Sequence, residues 1–278
     1  MPAYWGVMRI LILGVAAVSA AAALPAIAQE TSASQETDSG TGVTLSSGLD
    51  YSSGKYGANQ TTDILVALSD ITVKRGDFQL SVSLPYLDIK GPASVIAGAN
   101  GVPVAIRRNG IPLPSSNRAG WGDLNLGATW SLPAEYLGEF QVDLTGRTKI
   151  ATANAAKGLS SGETDFDFSA DITREIGIWS PFVTFGYRIP GSPSAYSLNS
   201  APSFSIGTSI QIDEKLLAMV SYDFDGTISN TLADSQQLFA SASWLFNASL
   251  TFTAYASTGL SSGAPGVGTG LLIGWKIQ

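Results

Sequence analysis

The stretch Phe140–Ala151 reads FQVDLTGRTKIA. Gln141, Asp143, Thr145, Arg147 and Lys149 alternate with Phe140, Val142, Leu144, Gly146, Thr148 and Ile150. A repeat of two is that of a β-strand, whose successive side chains point to opposite faces. The strand predicted here has one apolar face and one polar, charged face. The fold depends on which of the two meets water.

The same alternation continues on both sides of this stretch. Twelve candidate strands lie at about 42–53, 62–74, 78–89, 121–132, 139–151, 164–174, 178–189, 202–213, 216–225, 236–246, 249–258 and 267–277. Each is roughly 10 to 12 residues, the length that crosses a bilayer at a tilt, whereas strands of soluble proteins average about half of that. Connections alternate in length. Arg75-Gly76-Asp77, Pro133 to Gly138, Glu175 to Gly177, Glu214-Lys215 and Asn247-Ala248 are short, the others are longer, and Lys90 to Gly120 is the longest. Short turns at one end and long loops at the other are the layout of an outer-membrane barrel.

The aromatic residues are placed by depth. Phe78, Trp130, Phe140, Trp179, Trp244, Phe246 and Trp275 share the apolar face and fall near short turns. A band of rings at one level is expected of a lipid-interface girdle. Tyr51, Tyr86, Tyr187 and Tyr222 lie nearer the long loops and fit a second girdle. A soluble β-sandwich also alternates, but its core gives no reason to collect Trp at one end. The expected fold is therefore all-β, a 12-stranded antiparallel transmembrane β-barrel, with lipid against the apolar face and a polar lumen inside. In 62–74, Leu65, Ala67, Ile71 and Val73 compete with Ile64, Val66 and Leu68 for the outward face.

Composition narrows the chemistry. Only 13% of the 278 residues are charged, against about a quarter in ordinary soluble domains. There is no Cys and no His, which removes disulfides, thiol and His-dependent catalysis, and His-ligated metals. A net charge of -7 argues against nucleic acid. No cofactor and no metal is expected. The partners expected are outer-membrane lipid and a small-molecule solute, with the barrel as a monomer.

The first 28 residues read as a signal peptide. Met8-Arg9 precedes the apolar run Ile10 to Leu24, and Ala26-Ile27-Ala28 places cleavage after Ala28. Met1 and Met8 both stand as starts. Residues 29–41 are polar and aperiodic and read as a disordered lead, with the barrel over 42–278.

The predicted lumen face carries Asp123, Asn125, Gln141, Asp143, Arg147, Lys149, Asp167, Asp171, Arg188, Asp223 and Lys276. Facing charges of both signs suit a constriction with a transverse field. The plainer alternative is that they pair and hold the wall together. Small Ser, Thr and Gly on that face favour water over a packed core. The 90–120 loop contains Arg107-Arg108-Asn109-Gly110, where Asn-Gly is a hairpin signal. Arg107 and Arg108 are constriction candidates if it folds into the mouth, and part of an exposed flap otherwise.

Gly158-Leu159-Ser160-Ser161-Gly162 and Gly259-Leu260-Ser261-Ser262-Gly263 match G-x-S-x-G. That motif needs a strand–turn–helix context and a base, and both copies fall in predicted loops of a chain without His. No enzyme is expected. Asp165, Asp167 and Asp171 sit at alternate positions of one strand and cannot wrap Ca²⁺ as an EF-hand loop does.

Ser81-Val82-Ser83-Leu84-Pro85-Tyr86-Leu87, a long loop, and Gly120-Trp121-Gly122-Asp123-Leu124-Asn125-Leu126-Gly127 together resemble the transporter-like outer-membrane family named for the meta pathway of phenol degradation. The resemblance covers these short segments and implies a channel for small solutes, often aromatic or hydrophobic. Trp275-Lys276-Ile277-Gln278 departs from the aromatic C-terminal end usual in such barrels. The expected function is passive solute uptake. The alternative is a non-conducting structural or adhesin-like barrel acting through its loops.

Overall fold

The computed structural model describes residues 41–277 except 57–59, 93–94, 98–102, 106–114, 134–135, 193–197 and 230–232. The expectations for the signal peptide, its cleavage and the lead up to residue 40 lie outside the described residues. So do Arg107, Arg108 and the Asn109-Gly110 turn.

The strands are β1 (Thr41–Gly54), β2 (Thr62–Arg75), β3 (Phe78–Pro92), β4 (Val95–Ala97), β5 (Pro103–Ala105), β6 (Ser115–Trp121), β7 (Leu124–Ser131), β8 (Phe140–Ile150), β9 (Asp165–Arg174), β10 (Trp179–Ile189), β11 (Ala201–Gln211), β12 (Leu216–Asp225), β13 (Ser235–Asn247), β14 (Leu250–Gly259) and β15 (Val267–Ile277). β4 and β5 pair with each other apart from the main sheet. This pairing joins 95–97 to 103–105, and the turn expected at Asn109-Gly110 lies outside the described residues. β6 and β7 both pair with β3 and are two halves of one strand. Every other wall strand pairs antiparallel with its neighbours in sequence, and β1 closes onto β15 from Val43↔Ile277 to Ser53↔Val267. The result is a closed 12-stranded antiparallel β-barrel. Closure pairs the wall strands around the barrel, the condition for spanning lipid with strands, and only β6, which rises toward the long-loop end, has one partner among the described residues.

The faces are inverted relative to a soluble fold. In β9, Phe166 and Phe168 are exposed while Asp165, Asp167, Ser169 and Asp171 are buried. In β15, Leu271, Ile273 and Trp275 are exposed and Gly268, Gly270 and Gly274 face inward. Apolar side chains cover the outside because lipid, not water, is their solvent.

Two features modify the expected pattern. The fourth strand begins at Ser115 rather than near residue 121, and it is bulged. Tyr86 pairs with Trp121 and Ser83 with Asn125, so three residues (122–124) oppose two (84–85). Pro85 lies opposite the bulge and has no N–H to give the ladder, while its carbonyl accepts from Gly122 N at 2.8 Å. The extra residue reverses the alternation. Trp121 therefore points outward, 60% exposed, and Asp123 points inward, 6% exposed.

The second feature is β2, whose two apolar sets divide cleanly. Leu65 and Ile71 are exposed; Ile64, Val66 and Leu68 are buried inside. Ile64 and Val66 join Leu87, Ile89, Tyr56 and Leu159 in an apolar cluster within the barrel. One sector of the lumen is thus not polar.

The expected room around the inward glycines is also partly filled. Tyr255 lies against Gly270, where an added Cβ would come within 2.2 Å of the phenol ring. Its hydroxyl reaches on across the barrel wall to Asp50 Oδ2 at 2.6 Å. Phe182, Met219, Phe239 and Leu272 point inward too and are buried. Large side chains set against small ones are how narrow barrels fill their bore.

Candidate functional site: the barrel interior

Side chains of all the predicted lumen residues lie on the inward face. Asp123, Asp143, Lys149, Asp167, Asp171, Arg188 and Asp223 are buried, Asn125, Gln141 and Arg147 are half-buried, and Lys276 is exposed at the short-turn end.

The structure brings seven inward charges into two groups. Lys149 Nζ lies 3.0 Å from both Asp123 Oδ2 and Asp165 Oδ2, and 2.9 Å from Ser161 Oγ. Asp123 in turn accepts from Ser160 Oγ at 2.5 Å and from the Thr152 and Ala153 backbone N–H groups at 3.0 and 2.9 Å. In the second group Asp167 takes Arg147 at 3.9 Å and Arg188 at 3.5 Å, and Arg188 continues to Asp225 at 3.4 Å. Cross-strand register makes these contacts: Lys149↔Asp165, Arg147↔Asp167 and Asp167↔Arg188 are direct neighbours. Of the remaining carboxylates, Asp143 and Asp171 are neighbours across the β8–β9 register. Asp171 accepts from Thr184 at 2.6 Å and Asp223 from Ser221 at 3.2 Å.

The loop between β8 and β9 closes this region from the long-loop end. A short 3₁₀ turn, Ala155–Lys157, is capped by the Asn154 side chain and ends at Gly158 with φ +70°. That left-handed residue turns Leu159 down into the apolar cluster, where it is 2% exposed. Ser160 and Ser161 then engage Asp123 and Lys149. The first G-x-S-x-G match is thus a latch for a loop folded into the mouth. The sequence did not point to this loop, because Gly-Leu-Ser-Ser-Gly carries no mark of burial.

Below the latch the interior is uneven. Along β3, β7 and β8 a strip of inward residues stays partly accessible: Gln79, Ser81, Ser83, Thr129, Asn125 and Arg147. It runs from the short-turn end to the level of Arg147. The inward acids are all buried, whereas Lys74, Arg147 and Lys276 retain access to water. The inward charged side chains that water reaches are therefore cations, although the chain as a whole is acidic.

On the outer face Phe78, Trp130, Phe140, Trp179, Trp244, Phe246 and Trp275 are exposed near the short turns. Phe78 stacks on Trp130 with centroids 6.2 Å apart, and Trp244 meets Phe246 at 5.5 Å.

Among solved structures the chain is similar to the NanC porin, at 7% identity over 84% of this chain and 99% of that one, with a TM-score of 0.50. The fold is that of outer-membrane barrels. The KdgM porin aligns at 6% identity over 84% and 98% of the two chains with a TM-score of 0.48. The translocator domain of the autotransporter NalP from Neisseria meningitidis aligns at 12% over 88% and 90%, with a TM-score of 0.49. No family model matches the chain, and no curated protein does.

Inward residues missed by sequence reasoning include Asp50, Asp70, Asp225 and Arg118. Asp50 was recoverable, since it alternates with Leu49 and Tyr51. Arg118 was not, because its strand had been read as loop. The sequence does show that no Asp or Glu occurs between Asp88 and Asp123, while Lys90, Arg107, Arg108 and Arg118 do.

Proposed function

We propose that this chain is a monomeric bacterial outer-membrane channel, exported with its signal peptide cleaved after Ala28, for passive uptake of small solutes. The observation that carries this reading is the partly accessible polar strip along β3, β7 and β8, ending at Arg147 beneath the β8–β9 loop. Aromatic and apolar solutes fit as a class because the cluster of Ile64, Val66, Leu87 and Ile89 faces inward at the long-loop end. The resemblance of Ser81–Leu87 and Gly120–Gly127 to the meta-pathway family supports the same class. The outward rings at the short-turn end serve as the periplasmic-side girdle, with Trp and Phe at the lipid headgroups. The cations that water reaches inside, Lys74, Arg147 and Lys276, make the channel anion-preferring.

A second reading, a non-conducting surface-binding barrel, is favoured by the packing of Phe182, Met219, Phe239, Tyr255 and Leu272 across the interior. Single-channel recording of refolded protein in a planar bilayer separates the two. Discrete steps with a reversal potential on the anion side under a salt gradient are expected. A folded but electrically silent barrel would sink the channel reading and favour surface binding.

A further inference from the structure

The inward guanidinium of Arg118 is 8% exposed, at the long-loop end of the barrel. Its Nη2 donates to the Pro92 carbonyl at 3.2 Å. Its Nε and Nη1 meet no acceptor among the described residues, and no carboxylate there pairs with it. The undescribed segments that link strands at that end, 57–59, 93–94, 98–102, 106–114, 193–197 and 230–232, contain no Asp or Glu. A buried guanidinium without a counter-charge is costly, since burial removes its hydration. The other two buried inward cations, Lys149 and Arg188, each contact two carboxylates.

Arg118 also stands at an apolar surface. It is the register partner of Ile89, which is fully buried in the cluster with Leu87, Tyr56, Ile64, Val66 and Leu159. The β8–β9 loop lies directly against it. A Cβ on Gly158 would come within 2.7 Å of Nη1, and one on Gly120 within 2.8 Å of Leu159 Cδ1. Glycine at these two places lets main chain and Leu159 approach the guanidinium.

We infer that Arg118 with the Ile64–Leu87–Ile89 wall is a binding site for a small amphipathic carboxylate, an aromatic or short aliphatic acid. The guanidinium presents N–H groups in the fork geometry that matches a carboxylate. The ligand's apolar body takes the place that Leu159 holds when the loop is latched. This names a solute class for the channel and rests on that reading for the onward route, but not for binding.

The test is titration calorimetry of refolded, detergent-solubilised full chain with benzoate, and with benzyl alcohol as its neutral counterpart. Benzoate binds and benzyl alcohol binds more weakly. Arg118→Gln removes a charge that costs energy to bury, so the barrel folds, as its heat-modifiable gel mobility will report. It weakens benzoate binding by about 10- to 100-fold, the range for charge-assisted hydrogen bonds. Leu159→Ala tightens benzoate binding, an effect opposite in sign to general damage, and Lys215→Gln in a short turn changes nothing. Absence of benzoate binding, or undiminished binding by folded Arg118→Gln, overturns the site. Conducting protein that ignores benzoate loses the site and keeps the channel; silent protein that binds benzoate does the reverse.

Discussion

The two halves of the barrel interior solve the same problem differently. From β7 to β12 the inward face is charged, and Lys149 and Arg188 are each neutralised by two carboxylates. At the long-loop end of β2, β3 and β6 it is apolar, with Ile64, Val66, Leu87 and Ile89 packed against Tyr56 and Leu159, and one guanidinium set beside them. The charged half shows charge used as mortar. The apolar end shows a charge with one backbone acceptor and no carboxylate among the described residues. Inward position alone does not distinguish these two kinds of charge; the proposed solute site rests on the count of local partners.

The largest effect expected falls on the charged half. Lys149→Met leaves Asp123 and Asp165 buried without their cation and destabilises the barrel by about 3–5 kcal/mol, the range for breaking one side of a buried pair. Urea unfolding in lipid vesicles measures it. Combining Lys149→Met with Asp123→Asn and Asp165→Asn restores most of the loss, because no charge is then stranded. If the single variant is as stable as the parent, Lys149 is not a structural ion and the contrast between the halves fails.

The apolar half responds next. Leu87→Ala removes a side chain that is 2% exposed and costs about 2–5 kcal/mol, through lost burial and the cavity left behind. Leu87 contacts the cluster that holds Leu159, so the same variant loosens the latch and raises protease sensitivity within the β8–β9 loop. A stability loss with no change in loop cleavage would mean that the latch is held by Ser160 and Ser161 alone.

Much of this wall was legible beforehand. Leu216–Asp225 and Val267–Ile277 have the bounds the period gives them, because a strand with lipid on one side must alternate without lapse. The fourth strand was legible only after its bulge, since one extra residue at 122–124 inverts the period and Ser115 to Gly120 has no large apolar side chain to announce an outer face. The faces of β2 were ambiguous because both are apolar, one against lipid and one against Leu87 and Ile89. Local pattern cannot separate two apolar environments. The inward set of the candidate site was readable by the same period. Which of its charges reach water was not, because that depends on contacts across strands and on a loop whose apolar Leu159 sits amid Gly and Ser.

The smallest stability effect expected is the most informative about function. Arg147 lies in the charged half, yet its side chain is 32% exposed and its ion pair with Asp167 is loose at 3.9 Å. Asp167 keeps Arg188 as a second cation, so Arg147→Gln strands no charge. A partly solvated pair of this kind contributes about 0.2–1 kcal/mol, and unfolding in vesicles should move by no more than that. Conduction should not be so tolerant. Arg147 stands at the upper end of the accessible strip, and in the proposed channel a permeant ion passes it with little water between. The reversal potential of Arg147→Gln should shift toward cations, while Asp143→Asn, which neutralises a buried carboxylate on the same strand, shifts it further toward anions. An unchanged reversal potential in Arg147→Gln with steps still present would place the conducting path elsewhere in the barrel, and would return Arg147 to the mortar of the wall.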